Sequence, residues 1–229
     1  KKGLVPIDAV LSDAIDKLEF LYKQKEGMTG VPSGFVDLDN ITHGWQKSDF
    51  IILAARPSMG KTAFCLNLAE NAAIQAQKTV AVFSLEMSNE QLIRRMISSE
   101  AEIGQDALST GRIKEEDWSV LIDAITPLAQ APIYIDDTPA LSIRQMRAKA
   151  RRLKAEHGLD LIIVDYLQLM TSGSKTENRQ QEVSQISRSL KALARELEVP
   201  IIALSQLSRS TELSGDKKPS LGNLRESGS

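Results

Sequence analysis

Cysteine is nearly missing from this chain, with Cys65 the one thiol in 229 residues. That excludes a disulfide framework and leaves Cys65 to be read as an apolar packing residue. Aromatics are also scarce, at 4%, so ring stacking has little to offer any extended ligand. Charge of one sign is not in excess: the formal net charge is −2, which does not announce a nucleic-acid binder, and any basic surface has to be local. There is no cleavable signal, no apolar run of membrane-spanning length, no internal repeat and no sustained low-complexity segment. The expectation is a soluble, cytoplasmic chain with no membrane partner. What remains is ordinary, 42% hydrophobic and 25% charged, enough for one sizeable core plus an appendage.

The informative stretch is Ala55-Arg56-Pro57-Ser58-Met59-Gly60-Lys61-Thr62, directly behind the apolar run Asp49-Phe50-Ile51-Ile52-Leu53-Ala54. A strand running into a tight loop that ends in Gly-Lys-Thr is a phosphate-binding P-loop. Backbone N–H groups wrap the phosphates, Gly60 permits close approach, Lys61 reaches the β and γ oxygens, and Thr62 offers a hydroxyl to Mg²⁺. The usual first glycine is replaced by Ala55. The helical spacing of Ala63, Leu66, Ala69, Ala73 and Ile74 nevertheless supplies the strand–loop–helix order that the motif requires.

From residue 35 onward apolar runs alternate with helical patterns. Strands are expected at 49–55, 79–86, 132–136, 159–165 and 199–205, and helices at 62–77, 88–103, 114–129, 142–157 and 179–198, which specifies an α/β fold with a mainly parallel sheet flanked by helices. In such sheets ligands collect at the carboxyl ends of the strands. The run 159–165 finishes in Asp165, the Walker B position that holds Mg²⁺. The next residue is Tyr166, where many ATPases have a water-activating glutamate, so the base has to come from elsewhere. Glu86, ending the run 80–86, is either that base or a capping acid for the helix beginning near Ser88. Gln206, ending the fifth run, is either a γ-phosphate sensor or a structural amide.

The first thirty residues differ. Ile7, Val10, Leu11, Ala14, Ile15, Leu18, Leu21 and Tyr22 fall at three- and four-residue steps, an amphipathic helix started by Pro6 and Asp8 and ended near Lys23, Lys25 and Gly27. Residues 28–34, rich in Gly and Pro, read as a linker. The stripe suits a partner groove on a neighbouring subunit, the alternative being that it folds back onto its own domain. The basic run Arg144 to Lys154 is either a solvated face or a DNA groove.

Taken in order, the P-loop, Phe83-Ser84-Leu85-Glu86-Met87-Ser88, Val164-Asp165-Tyr166-Leu167-Gln168, Leu204-Ser205-Gln206-Leu207-Ser208-Arg209 and Leu224-Arg225-Glu226-Ser227-Gly228-Ser229 resemble the bacterial DnaB-type replicative DNA helicase family, which also lacks the first P-loop glycine. The resemblance covers nearly the whole chain. It implies a RecA-like P-loop NTPase core over 31–229, lacking its C-terminal part, and a linker helix with hinge over 1–30 that docks on a neighbouring subunit. The implied activity is ATP hydrolysis with Mg²⁺ in a homohexameric ring that moves along single-stranded DNA, with primase and a helicase loader as further partners. Carried over by position, Ser58, Met59, Gly60, Lys61, Thr62 and Ala63 bind the nucleotide, Thr62 and Asp165 the metal, and Glu86 with Lys61 performs the chemistry. Gln206 senses phosphate, and Arg225, Glu226 and Gly228 follow the DNA backbone. Arg95 resembles the family arginine that approaches the nucleotide, although its position equally suits a solvated helix residue.

The resemblance also implies further strands after Ser229, carrying a Lys/Arg finger for the next subunit's site, and an amino-terminal domain that meets primase. Loss of such a finger typically costs about a thousandfold in rate, so weak hydrolysis is expected of this segment alone. Two other readings stay open, a RecA/RadA-type recombinase that forms filaments and a non-catalytic ATP-binding docking platform for a loader or primase.

Overall fold

In the computed structural model, which describes residues 3–23, 28–56, 60–170 and 178–206, the apolar runs pair as one parallel sheet. Its strands are β1 (Phe50–Ala55), β2 (Val80–Ser84), β3 (Ile133–Asp136), β4 (Leu161–Asp165) and β5 (Ile201–Gln206), in the order β1-β5-β4-β2-β3. The helices are α1 (Ile7–Lys23), α2 (Val36–Thr42), α3 (Lys61–Glu70), α4 (Asn89–Ala101), α5 (Gln105–Thr110), α6 (Asp117–Gln130), α7 (Ile143–His157) and α8 (Arg179–Leu197). Every ladder among the described strands is parallel.

Side-chain alternation divides the core in two. Val80, Val82, Leu161, Ile163, Ile202 and Leu204 face α3, together with Val31 and Trp45. Ala81, Phe83, Ile162, Val164, Ile201 and Ala203 face α7 and α8, which contribute Met146, Ile186, Leu190 and Leu193. Both faces of β2, β4 and β5 are therefore buried, which is why those strands read as continuous apolar runs rather than alternating ones. Truncating a fully buried leucine such as Leu190 to alanine costs about 2–5 kcal/mol. The strand β1 is less enclosed, with Ile52 40% exposed.

Helix starts follow local chemistry. Ser88 and Ser142 each accept from the backbone N–H three residues on, while Gln91 and Gln145 reach back to complete capping boxes. Two short helices, α2 and α5, escape the periodicity reading because six or seven residues are too few to show a stripe. The only buried residue of α2 is Asp39, and α5 has none.

The Gly/Pro-rich stretch 28–34 is not the free tether its composition suggests. Thr29 and Gly30 donate to the His43 carbonyl, and Val31 pairs with Trp45. The Ser33 hydroxyl and N–H both donate to Asp39 Oδ1, at 2.7 and 2.8 Å, and Asn71 Nδ2 donates to the Ser33 carbonyl at 2.9 Å. Buried main-chain groups have to be paired, and these pairs anchor the stretch to the core. By contrast α1 packs on nothing among the described residues: Ile7, Leu11, Ile15, Leu18 and Tyr22 are between 47% and 92% exposed.

The basic helix α7 spends much of its charge internally. Arg147 and Arg151 both pair with Glu196 of α8, Lys149 pairs with Asp136 at 2.5 Å, Arg152 with Glu156, and Lys154 donates to the Leu197 carbonyl.

Candidate nucleotide site

The register aligns the carboxyl ends of the strands. Ala55 lies beside Gln206 and Ser84 beside Asp165, and the Leu85 N–H donates to the Asp165 carbonyl at 2.8 Å. Side chains leaving β1, β2, β4 and β5 therefore converge on one edge. A polar cleft of about 440 Å³ opens there, lined by Arg56, Gly60, Lys61, Thr62, Glu86, Arg95 and Gln206.

Gly60 turns the chain into α3 with φ of +73°, a left-handed conformation that a side chain disfavours. The first N–H groups of the ten-residue α3 then point into the cleft without intrahelical partners, and the helix dipole favours an anion there. Lys61, the first residue of α3, places Nζ 3.3 Å from Asp165 Oδ1, 3.6 Å from Glu86 Oε2 and 3.8 Å from the centroid of the Tyr166 ring. Thr62 Oγ1 donates to Asp165 Oδ2 at 3.2 Å.

Asp165 is 1% exposed, and its Oδ1 accepts no hydrogen bond among the described residues. A buried carboxylate with an unfilled oxygen, next to a threonine hydroxyl, is a hard-oxygen donor pair that fits Mg²⁺. The neighbouring groups respond to this field. The Cys65 thiol is pushed well above its ordinary range, by burial first and then by Asp165, with Lys61 opposing, so it stays a neutral packing group. The Tyr166 hydroxyl is also raised, by burial and then by Glu86 and Asp165.

Most of the residues singled out from the sequence meet here. Gly60, Lys61, Thr62, Glu86, Arg95 and Gln206 line the cleft, and Asp165 contacts two of them. The cap of α4 is Ser88, so Glu86 is free of that duty and faces Lys61. Arg95 is half-buried against the cleft rather than on an open helix face. The main chain at Gln206 is tied to Gln168 Nε2 at 3.3 Å. Ala63 sits in the first turn of α3, exposed. Ser58, Met59, Arg225, Glu226 and Gly228 lie outside the described residues. Two residues escape the sequence reading. Arg56 is within the P-loop octet but carries no motif role, and Tyr166 stands out only as a missing glutamate.

The sequence matches the DnaB-like helicase C-terminal domain family over residues 30–229. The chain belongs to that family. Among curated proteins, it is 55% identical over 224 residues to the replicative DNA helicase DnaB of Geobacillus stearothermophilus. It is 53% identical over the same length to the replicative DNA helicase DnaC of Bacillus subtilis (strain 168). Each alignment takes in 97% of this chain but 49% of the relative, so the chain spans about half the length of these DnaB-like proteins. Among solved structures, a helicase ATPase domain superposes with a TM-score of 0.91 at 39% identity, covering 98% of this chain and 79% of that one. A DnaB-like replicative helicase, described with its interactions with primase, gives 0.85 at 39% identity, covering 100% of this chain and 54% of that one. The parallel sheet flanked by helices is thus the RecA-like fold of DnaB-like ATPase domains.

Proposed function

We propose that this chain is the ATP-driven motor of a replicative DNA helicase, hydrolysing ATP with Mg²⁺ to move along single-stranded DNA and part the duplex at the fork. The observation that carries this reading is the meeting of Lys61, Thr62, Glu86 and Asp165 in one polar cleft at the mouth of α3. The adaptor reading has no use for a solvent-facing carboxylate poised beside the phosphate-binding lysine.

In this mechanism the phosphates settle on the N–H groups at the start of α3, and Lys61 leaves its carboxylates for a phosphate oxygen. Thr62 and Asp165 would hold Mg²⁺, which when bound supplies charge neutralisation on the phosphates. Glu86, released by Lys61, orients water and takes its proton. Arg95 adds positive charge from α4, and Gln206 reports the γ-phosphate by hydrogen bonding. Ser58, Met59 and Ala63 complete the loop's contacts, and Arg225, Glu226 and Gly228 follow the DNA backbone.

The assembly in this proposal is a homohexameric, cytoplasmic ring in which residues 1–30 serve as linker and hinge and 31–229 as motor, with primase and a loader as its other partners. The exposed stripe of α1 supports docking on a neighbouring subunit, because it is left without a place on its own domain. A matching apolar groove of about 240 Å³ lies between α4 and α6, lined by Ile93, Met96, Ile97, Ile125 and Leu128.

The test uses the full-length protein. ATP turnover with and without single-stranded DNA, unwinding of a forked duplex, and negative-stain images are compared with the Lys61→Ala variant. Closed rings with DNA-stimulated, Lys61-dependent turnover and unwinding are expected. Filaments would favour a recombinase, and nucleotide binding without turnover an adaptor.

A further inference from the structure

An ammonium half enclosed by a protein needs partners before any phosphate arrives, and those around Lys61 are of two kinds. Asp165 and Glu86 are anions at 3.3 and 3.6 Å, and each has a separate task once nucleotide binds, one toward metal and one toward water. The Tyr166 ring, 3.8 Å from Nζ, has no such second task. Its negative face attracts the cation without neutralising it, so the full charge of Lys61 stays available to a phosphate oxygen. The Lys61 side chain is 12% exposed, and cation–π attraction grows as the pair is shielded from water.

The ring is also well anchored. Tyr166 follows the last residue of β4, and its carbonyl accepts from the Leu169 N–H at 3.1 Å in the turn Leu167–Leu169. Within that turn Leu167 and Gln168 are buried, and Gln168 Nε2 donates to Ser205 Oγ at 2.7 Å on β5. An aromatic held on a pinned turn makes a better seat than a mobile carboxylate, because it sets direction as well as attraction.

The geometry points to Tyr166 as the positioning residue for Lys61: its ring seats the ammonium against the cleft, and that contact persists while phosphates displace Asp165 and Glu86. The inference rests on the nucleotide-site reading above and adds a role at the position where the Walker B strand has no second acid.

Binding of a fluorescent ADP and of a non-hydrolysable ATP analogue to the full-length protein tests it. The variants are Tyr166→Phe, Tyr166→Leu and phenylalanines of graded fluorine content at 166, which keep the ring's shape while draining its negative face. Tyr166→Phe should bind within about twofold of the parent, affinity should fall steadily with fluorine content, and Tyr166→Leu should lose roughly two- to thirtyfold. In a Lys61→Ala background the same changes should have no further effect. A flat fluorine series, or a Tyr166→Leu loss that is equal with and without Lys61, overturns the assignment. Should Tyr166→Leu fold poorly, the fluorinated series still decides. If Lys61→Ala itself binds nucleotide like the parent, the nucleotide-site reading falls first. If Lys61→Ala is impaired and the series is flat, only the seat is wrong.

Discussion

Glu86 and Asp165 lie on neighbouring strand ends and both approach Lys61, yet the side chain of Glu86 is 51% exposed and that of Asp165 is 2% exposed. That contrast separates their proposed roles, because water has access to the first, whereas the second offers a dry, unsatisfied oxygen. Replacing Glu86 with Gln should therefore leave ATP bound and lower kcat by about 10²–10⁴-fold, while Lys61→Ala should weaken binding itself. Stopped-flow nucleotide binding alongside steady-state turnover checks the split, and near-native turnover by Glu86→Gln would move the base elsewhere. A second acid far from the cleft carries a pH dependence. Glu70, 5% exposed at the end of α3, is pushed from 4.5 up to about 8 by burial, and further by a hydrogen bond and repulsion from Glu100. The folded chain keeps a proton that the unfolded chain releases near 4.5. Stability from this group is thus full below that pH and falls as pH rises toward 8, by an amount on the order of a few kcal/mol. Urea unfolding between about pH 5 and 9 should show this slope, and Glu70→Gln should flatten it. Motif chemistry makes Lys61, Thr62 and Asp165 legible in the sequence. The Glu70–Glu100 pair and the Tyr166 seat are not, because each depends on two distant segments meeting.

At the scale of elements, period and length decide what can be foreseen. The five strands and the five long helices after residue 35 emerge within a few residues of their expected bounds, since buried strands flanked by Gly, Pro or polar residues and stripes of several turns leave strong patterns. The exceptions are short, as with α2 and α5, or irregular, as where α3 runs on into a π-helical turn over Asn71–Gln75. Composition misleads at 28–34, because a Gly/Pro-rich segment says nothing of the Asp39 carboxylate waiting for Ser33. It is ambiguous at α7, where Glu196 on another helix takes up two of the arginines. The amphipathic α1 is the opposite case, for its stripe is plain in the sequence and its partner is not. If α1 clasps the α4–α6 groove of the next subunit, Leu11→Asp with Leu18→Asp should dissociate the ring, and Ile125→Asp on the groove should do the same. Analytical ultracentrifugation of the full-length protein reads this directly, and an unchanged hexamer in the paired α1 variant would remove the clasp.

For the molecule as a whole, balance of charge constrains how DNA can be held. The chain is slightly acidic, at −2 overall, and has few aromatics. Neither a broad basic field nor base stacking can therefore supply most of the grip, and the remaining source is local contact with phosphates repeated from subunit to subunit. Arg225, with Glu226 and Gly228, is the proposed point of that contact, in a stretch outside the described residues that only the family motif identifies. On this proposal affinity for single strands is nearly blind to base composition and falls steeply with salt. Arg225→Ala in the full-length protein should weaken every strand by a similar factor while nucleotide binding is unchanged. The slope of log affinity against log salt should become shallower by about 0.7 for each phosphate that is no longer neutralised, or about 4 if every subunit of a hexamer releases one. Fluorescence anisotropy over a salt series, with poly-dT and mixed-sequence strands in parallel, measures both quantities. An unaltered slope with Arg225→Ala would place the phosphate-binding groups on other residues, and a strong sequence preference would mean that base edges, not the backbone, are being read.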